Sequence, residues 1–307
     1  MSRLTSTAGV SLASTRDRAS WAARVRDYVE LTKPRIVMLE LVTIVVAAHL
    51  AAPSGIAAVV LLNAVMGAAL VAASAGAFNQ WWEQSTDALM TRTATRPLPA
   101  GRLTSRQVIW FGVITLAIGL PELAFTVGLT TAGVALATWL IYVLAYTPLK
   151  TRSPLNTTVG AVSGASPILI GWTATGAAID MRALALVGVM FLWQFPHFMA
   201  IAWLYRGEYV RAGHRMLTVV EPTGLRAGAQ AVIGALALIP VSLVPAMTPW
   251  AGSPTIYVFW TLMLGVMQLA ASVLFLFRRD DFSARRLLRA SLLYLVCWMG
   301  LLLMVAV

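Results

Sequence analysis

Acids and bases recur at regular intervals in the stretch NQWWEQSTDALMTRTATRP, residues 79–97. Asn79, Glu83 and Asp87 are spaced four residues apart, and Arg92 and Arg96 repeat that spacing. On a helix these positions share one face. Oxygen ligands in such a row suit Mg²⁺ ions that bridge to an extended anion, and guanidinium groups suit phosphate oxygens. The pattern predicts a metal–diphosphate site, and a solvated helix end with i,i+4 salt bridges is the structural alternative.

The composition indicates the kind of structure that holds these residues in place. Of 307 residues, 59% are hydrophobic and 11% are charged, and the mean hydropathy is +0.78. A soluble domain has about 25% charged residues. A bilayer core needs about 20 apolar residues per helix. We therefore expect an all-α integral membrane protein with about nine transmembrane helices, at 36–52, 56–78, 107–125, 129–146, 157–178, 183–204, 227–247, 255–277 and 287–307.

The predicted domain organisation is simple. Residues 1–27 are rich in Ser, Thr, Ala and Arg and are expected to form a disordered cytosolic tail. Residues 28–307 are expected to form a single multi-pass membrane domain, with long loops between helices 2 and 3 and between helices 6 and 7. The lipid bilayer is thus the first predicted partner.

The basic residues are distributed very unevenly over the predicted loops. All but one of the 23 Lys and Arg residues, Arg182, lie in the N-terminal segment and in every second loop. The positive-inside rule then places the N-terminus in the cytoplasm and, with nine helices, the C-terminus outside. This asymmetry accounts for the net charge of +11 without a nucleic-acid partner. We expect a bacterial plasma membrane.

Four sequence blocks together resemble a known family. The first is N-x3-E-x3-D followed by ALMTRTATRPLPAGR. The others are LTKPRI at 31–36, YTPLKTRSPLNTTVGAVSGASPILIGW at 146–172 and WQFPHFMAIAWLYRGEYVRAGHRML at 193–217. They are similar to the UbiA superfamily of intramembrane prenyltransferases, and within it to the branch that farnesylates haem. The resemblance implies a UbiA-type helical bundle.

The resemblance also implies a reaction. Farnesyl diphosphate would give its farnesyl group to a vinyl group of haem B, water would add, and haem O and diphosphate would be formed. Mg²⁺ would be the cofactor, and haem B a substrate rather than a permanent cofactor. Haem A synthase and terminal-oxidase assembly factors are further candidate partners.

Site roles follow from the matching positions. The resemblance implies a catalytic set of Asn79, Glu83, Asp87, Lys150 and Glu208, of which the first three would hold metal. It implies a substrate-binding set of Lys33, Arg35, Arg92, Arg96, Tyr146, Arg152, His197, Tyr209 and His214. Glu83 replaces the more usual Asp. Glu208 alone stands where the superfamily has a pair of Asp, which weakens a two-metal scheme and leaves nearby bases to share the diphosphate charge.

Several alternatives stay open at this point. Lys33, Arg35 and Lys150 are also explained as membrane anchors, and His197 as a hydrogen-bonded structural residue. Three glycines of helix 5 suit either close helix packing or a flat porphyrin: Gly160, Gly164 and Gly171. The prenyl acceptor could be a quinone precursor, and nine apolar helices would also suit a carrier or an assembly protein. A carrier should place polar residues near the bilayer midplane, whereas here they cluster at one face.

Overall fold

A computed structural model describes residues 21–247 and 254–306, the side chains of 305 and 306 excepted. In this part of the chain the structure is helical and contains no strand. Most of the predicted tail, residues 1–20, lies outside the described residues, whereas residues 21–27 begin a helix. The main helices are α1 (21–31), α2 (Pro34–Ala51), α3 (Ala58–Trp82), α4 (Ser105–Glu122), α5 (Leu129–Leu140), α6 (Asn156–Ala165), α7 (Pro167–Ala174), α8 (Met181–Leu204), α9 (Leu225–Leu243), α10 (Pro254–Arg278) and α11 (Asp281–Ala306).

The helix ends follow from local sequence. Pro34 opens α2, because proline fits the first helical turn, where no N–H is needed. Thr104 begins α4 with a capping box to Gln107. Asp180 caps α8 by accepting hydrogen bonds from the backbone N–H groups of Arg182 and Ala183, each 3.0 Å long.

The predicted membrane spans are confirmed with two differences. Eight helices of the described chain are long and apolar enough to cross a bilayer. The fifth span, predicted as 157–178, is formed instead by two shorter helices, α6 and α7, because Pro167 cannot continue the hydrogen-bond ladder of α6.

The second difference concerns the last span, predicted as 287–307. It begins earlier, at Asp281, and takes in Arg285 and Arg286, which we expected in a loop. The turn before it is held by the backbone N–H of Ser283, which donates to Asp280 over 2.7 Å.

Packing closes the helices into a bundle. Val46, Ala47 and Leu50 of α2 share one apolar core with Trp298 and Leu302 of α11, so the first and last spans meet. The two short helices of the broken fifth span contact different neighbours: α7 packs on α2, and α6 packs on α8. Apolar side chains on the outer surface face the bilayer, as expected of a multi-pass membrane protein.

The inter-helix segments that carry the acids and bases meet at one end of the bundle. Arg102 forms salt bridges with Asp27 and Glu30 of α1 at 2.8 and 2.6 Å, and Arg206 pairs with Asp281 at 2.9 Å. The first two contacts join residues 83–104 to α1, and the third joins residues 205–217 to the start of α11. The candidate site lies at this end.

Candidate active site

The row of polar side chains at the end of α3 is kept, although the helix is interrupted. α3 ends at Trp82, Glu83 leaves helical geometry, and a short helix follows at Gln84–Asp87. The backbone N–H of Glu83 still donates to the carbonyl of Asn79 (3.0 Å), and that of Asp87 to the carbonyl of Glu83 (2.7 Å). Asn79, Glu83 and Asp87 are 0%, 6% and 1% exposed. A straight helical ladder was expected; the structure bends it at Glu83 and buries all three residues.

Each member of this row contacts one base. Lys150 forms a salt bridge with Glu83 at 2.7 Å. Arg96 pairs with the Oδ2 atom of Asp87 at 2.6 Å. The ammonium group of Lys33 donates a short hydrogen bond to the Oδ1 atom of Asn79. The predicted acids and bases therefore lie in one cluster, and only the Asp87–Arg96 pair comes from neighbouring sequence.

Lys33 reaches the cluster because of the backbone at the α1–α2 junction. It precedes Pro34, which disfavours the right-handed helical region, and it adopts φ 53° and ψ 56°. The junction lies directly on α3: Gln80 donates a hydrogen bond to the carbonyl of Leu31 (3.0 Å), and a side chain at Gly76 would meet that same carbonyl at 2.8 Å.

The cluster has more positive than negative charge. Burial lowers the pKa of Lys33 to about 7, helped by repulsion from Arg96 and Lys150. Burial alone would raise the pKa of Glu83, but Lys150 and Lys33 outweigh it and the pKa is lowered. Burial opposes protonation of Lys150 too, yet Glu83 prevails and raises its pKa. Because two carboxylates face three bases, the cluster favours an added anion.

A π-helical turn supplies two tyrosines to the cluster. Ile141–Tyr146 continues α5 in π-helical geometry, which often occurs at functional sites. Lys33 donates to the Tyr142 hydroxyl over 3.3 Å, and the ammonium group of Lys150 lies 4.6 Å from the centre of the Tyr146 ring. Thr147 follows and accepts a hydrogen bond from the Asn79 amide (3.0 Å), so that the Oδ1 atom of Asn79 is directed towards Lys33.

A second polar segment, residues 205–217, packs against the first polar segment, residues 83–104. The backbone N–H of Arg92 donates to Glu208 (3.4 Å), and the Arg92 guanidinium lies 5.0 Å from the Tyr205 ring centre. Apolar contacts of Met90 with Tyr209 and Ala212 hold the two segments together.

His214 and Tyr209 also belong to this closure. Their rings stack at 5.8 Å with an interplanar angle of 15°. The backbone N–H of Arg215 donates to the carbonyl of Lys150 (2.7 Å), and Asn156 donates to the carbonyl of Arg215 (3.2 Å). Burial lowers the pKa of His214, which keeps its imidazole neutral.

Three predicted site residues lie apart from the cluster. His197 is in the span of α8, where its Nδ1 atom is hydrogen-bonded to Ser291 of α11 (2.9 Å) and its ring stacks on Trp193. This agrees with the structural alternative for that residue. Arg35 and Arg152 are exposed at the same end of the molecule.

The structure favours helix packing as the role of the glycines. A Cβ atom would meet the Tyr146 ring at 2.7 Å from Gly160, the Gln194 amide at 2.2 Å from Gly164, and the backbone carbonyl of Ile44 at 2.1 Å from Gly171. Each glycine thus allows a close approach of protein groups rather than of a flat ligand.

Sequence reasoning missed four residues. Tyr142 and Thr147 contact Lys33 and Asn79, and Asn156 fixes Arg215; these contacts depend on the π turn and on tertiary structure. Glu40 was missed although a signal existed, since an acid within a membrane span is by default a functional candidate.

The donor set suits a hard metal ion bound together with an anionic ligand. The Oδ1 atom of Asp87 and the Nε2 atom of His214 are buried without a hydrogen-bond partner, a costly arrangement that indicates a missing ligand contact. Within the described residues, no group of three His, Cys, Asp or Glu side chains could by itself enclose a metal. Two carboxylates and an amide match the way in which Mg²⁺ is held by few protein oxygens and by substrate phosphates.

Comparison with known proteins identifies the family. The model of the UbiA prenyltransferase family matches residues 41–302. The chain belongs to the UbiA prenyltransferase family. It is therefore a membrane prenyltransferase with a UbiA-type helical bundle, as the sequence blocks indicated.

Two relatives within this family carry the same name. The chain is 44% identical to the protoheme IX farnesyltransferase of Rhodopirellula baltica, covering 87% of this chain and 95% of the relative. It is 40% identical to the protein of the same name from Solibacter usitatus, covering 91% and 98%.

Solved structures share the fold. A digeranylgeranylglyceryl phosphate synthase superimposes with a TM-score of 0.75 at 16% identity, covering 92% of this chain and 99% of that one. A UbiA homologue from Archaeoglobus fulgidus, bound to GPP and Mg²⁺, gives 0.64 at 15% identity, covering 90% and 99%.

Proposed function

We propose that this protein transfers the farnesyl group of farnesyl diphosphate to a vinyl group of haem B and that water adds to the product, giving haem O and diphosphate. The observation that carries the proposal is the 40–44% identity, over nearly the whole length of both chains, to proteins named protoheme IX farnesyltransferase. The carrier and assembly-protein alternatives lose their support, because the chain belongs to a prenyltransferase family.

The proposed metal ligands are Asn79, Glu83 and Asp87, and the proposed metal is Mg²⁺. The support is the buried, unpartnered Oδ1 atom of Asp87 beside a second carboxylate, together with the Mg²⁺ and GPP bound to the Archaeoglobus fulgidus homologue. When bound, Mg²⁺ would neutralise charge on the diphosphate leaving group.

The bases of the cluster would bind the diphosphate. Arg96 and Lys150 form salt bridges with Asp87 and Glu83, and Lys33 donates to the amide of Asn79; a diphosphate with its metal would let each base turn to a phosphate oxygen. Arg92 contacts Tyr205 of the segment 205–217, and His214 lies in that segment; both would complete the contacts with the diphosphate. Concentrated positive charge at a buried site stabilises the departing diphosphate, and so promotes ionisation of the allylic C–O bond.

The membrane side of the site would hold the farnesyl chain and keep water from the cation. Tyr142 and Tyr146 lie next to Lys33 and Lys150, and their ring faces would stabilise positive charge on the farnesyl group as it leaves. The apolar chain would extend between the spans, because no polar solvent is available there.

We also propose the orientation and setting of the protein. The end that bears the cluster faces the cytoplasm of a bacterium and the C-terminus lies outside, as the distribution of basic residues favours. Haem O would then be consumed by haem A synthase or delivered to terminal-oxidase assembly factors.

The test uses membranes containing this protein, supplied with farnesyl diphosphate, Mg²⁺ and either haem B or a phenolic quinone precursor. Products are extracted and resolved by chromatography and mass. We expect a more hydrophobic haem carrying a hydroxyethylfarnesyl group, absent with EDTA, and no prenylated phenol. Prenylation of the phenol with unchanged haem B would refute the proposed acceptor.

A further inference from the structure

Glu40 is an acidic residue in the membrane that no part of the diphosphate site uses. It lies in α2, the seventh residue after Lys33, within a run of otherwise apolar side chains. Its carboxylate forms no hydrogen bond or ion pair with the residues that the structure describes. A carboxylate inside a membrane span is costly, so a residue of this kind is retained for a role.

The direction of Glu40 is set by the helix. Ile44 and Ala47, four and seven residues further on, are 2% and 0% exposed and pack inside the bundle. Leu39 and Val42, on the other side, are 58% and 47% exposed and face lipid. Glu40 shares the inward face with Ile44 and Ala47, yet it is only partly buried. It therefore lies on the inward face of α2 with part of its surface accessible.

The position along α2 places Glu40 on the membrane side of the diphosphate site. Seven residues of α-helix rise about 10 Å. The carboxylate interacts electrostatically with Lys33, which contacts Asn79, and also with Tyr142. A prenyl diphosphate bound with its phosphates at Lys33 and its chain in the membrane would extend along α2 towards Glu40.

The proposed reaction needs a base at that depth. As the C–O bond of farnesyl diphosphate breaks, C1 bonds to the terminal carbon of the haem vinyl group, and the positive charge moves to the vinyl carbon next to the porphyrin. Water then adds its oxygen to this carbon and must lose one proton. If no base activates the water, the adjacent CH₂ group can instead lose its proton to the released diphosphate, which gives an alkene that lacks the added water.

We infer that Glu40 is a further catalytic residue, the general base that takes the proton from the water adding to the farnesylated vinyl group. The bond formed is C–O, the proton passes to the Glu40 carboxylate and is released after the product leaves, and diphosphate keeps the electron pair of the broken C–O bond. This inference rests on the proposed function. It also explains why an anionic group is placed where a carbocation forms.

The experiment compares Glu40→Gln with the wild type in purified, reconstituted form, with haem B, farnesyl diphosphate and Mg²⁺. Three quantities are measured: haem O, the farnesylated haem that lacks one water, and released diphosphate. We expect haem O formation to fall by about 100-fold or more, the range for loss of a general base. We expect most of the remaining farnesylated haem to lack the added water, while the KM for farnesyl diphosphate changes by less than about twofold.

Glu122→Gln is the matched control. It removes a carboxylate from the far end of α4, away from the cluster, and should form haem O at the wild-type rate. Glu40→Asp keeps the carboxylate but withdraws it by one methylene. It should slow haem O formation by about tenfold or more and give a detectable alkene product, since small misplacements of catalytic groups are costly.

Two results overturn the inference. Haem O formed by Glu40→Gln at the wild-type rate would show that another base, such as the released diphosphate, takes the proton. If Glu40→Gln lowers the release of diphosphate and the formation of haem O by the same factor and gives no alkene product, Glu40 acts on substrate binding or on ionisation of the C–O bond. If Glu40→Gln does not fold, Glu40→Asp decides, and wild-type behaviour of that variant overturns the inference. A wild-type protein that forms no haem O overturns the proposed function, and this inference with it.

Discussion

Replacing Lys150 by Met tests whether a metal ion and a lysine compete for the same carboxylate. The Lys150–Glu83 pair is 2.7 Å long, and its side chains are only 14% and 7% exposed. Removing one partner of a buried pair leaves an uncompensated charge and costs about 3–5 kcal/mol. Lys33 still acts on Glu83, so we expect the lower end, about 3 kcal/mol.

The assay is thermal unfolding of the purified protein in EDTA and in millimolar Mg²⁺. In EDTA the loss of about 3 kcal/mol should lower the Tm by about 6–12 °C, taking about 2–4 °C per kcal/mol for a chain of this size. In Mg²⁺ the metal can take the place of the ammonium group at Glu83, so the difference from the wild type should shrink by at least about half.

Arg152→Met is the control, because it removes the same charge from an exposed position in the same segment. It should leave the Tm within about 2 °C of the wild type, since exposed charges contribute about 0–1 kcal/mol. A Lys150→Met protein whose Tm falls equally in EDTA and in Mg²⁺ would refute the reasoning that Glu83 binds metal. An unchanged Tm in EDTA would refute the reasoning that the pair is buried and coupled.

Three further outcomes are expected. Asp87→Ala should reduce farnesyl transfer by about 100-fold or more while the protein remains in the membrane, since it removes the acid with the unpartnered oxygen; normal turnover would contradict the metal row. Gly171→Ala should cost about 1–3 kcal/mol in urea or thermal unfolding, because the new methyl would meet the Ile44 carbonyl. Gly133→Ala in the helix Leu129–Leu140, with nothing within 4 Å, should instead stabilise by up to about 1 kcal/mol, and equal effects of the two changes would contradict the packing role. Asp180→Ala should cost about 1 kcal/mol at pH 7, because it removes the α8 cap. Burial is the largest single influence on the pKa of Asp180 and raises it, but the hydrogen bonds from the Ala183 backbone and from Arg182, with the charge of the Arg182 guanidinium, together outweigh burial and lower that pKa. The stability from the cap is therefore present above the unfolded pKa of about 3.9 and is lost as pH falls through the folded value; a pH-independent difference would contradict that cause.

Much of the fold could be predicted from the sequence, because a lipid bilayer permits few backbone structures. A long apolar run must form a helix in a bilayer, because its backbone groups must be paired internally. The break in the fifth span was readable from Ser166–Pro167, since proline ends helices, but the apolar run across it outweighed that signal. The early start of the last helix at Asp281 depends on a capping turn that a hydropathy argument does not see.

The part of the candidate site that depends on the spacing of neighbouring residues could be predicted from the sequence. The four-residue spacing of Asn79, Glu83 and Asp87 survives because backbone hydrogen bonds persist across the break. The sequence could not show that Lys33 and Lys150 each contact one member of this row, since those contacts come from distant segments. Tyr142 depends on a π turn, for which the sequence offers no simple pattern.

Binding of farnesyl diphosphate to the purified protein, measured by titration with and without Mg²⁺, tests the central claim most directly. That claim is that the buried acids hold the metal and that the surrounding bases hold its diphosphate. The account predicts binding that tightens by about tenfold or more with Mg²⁺ in the wild type and loses this dependence in Asp87→Asn, while Glu122→Gln behaves as the wild type. Equal Mg²⁺ dependence in the wild type and Asp87→Asn would contradict it.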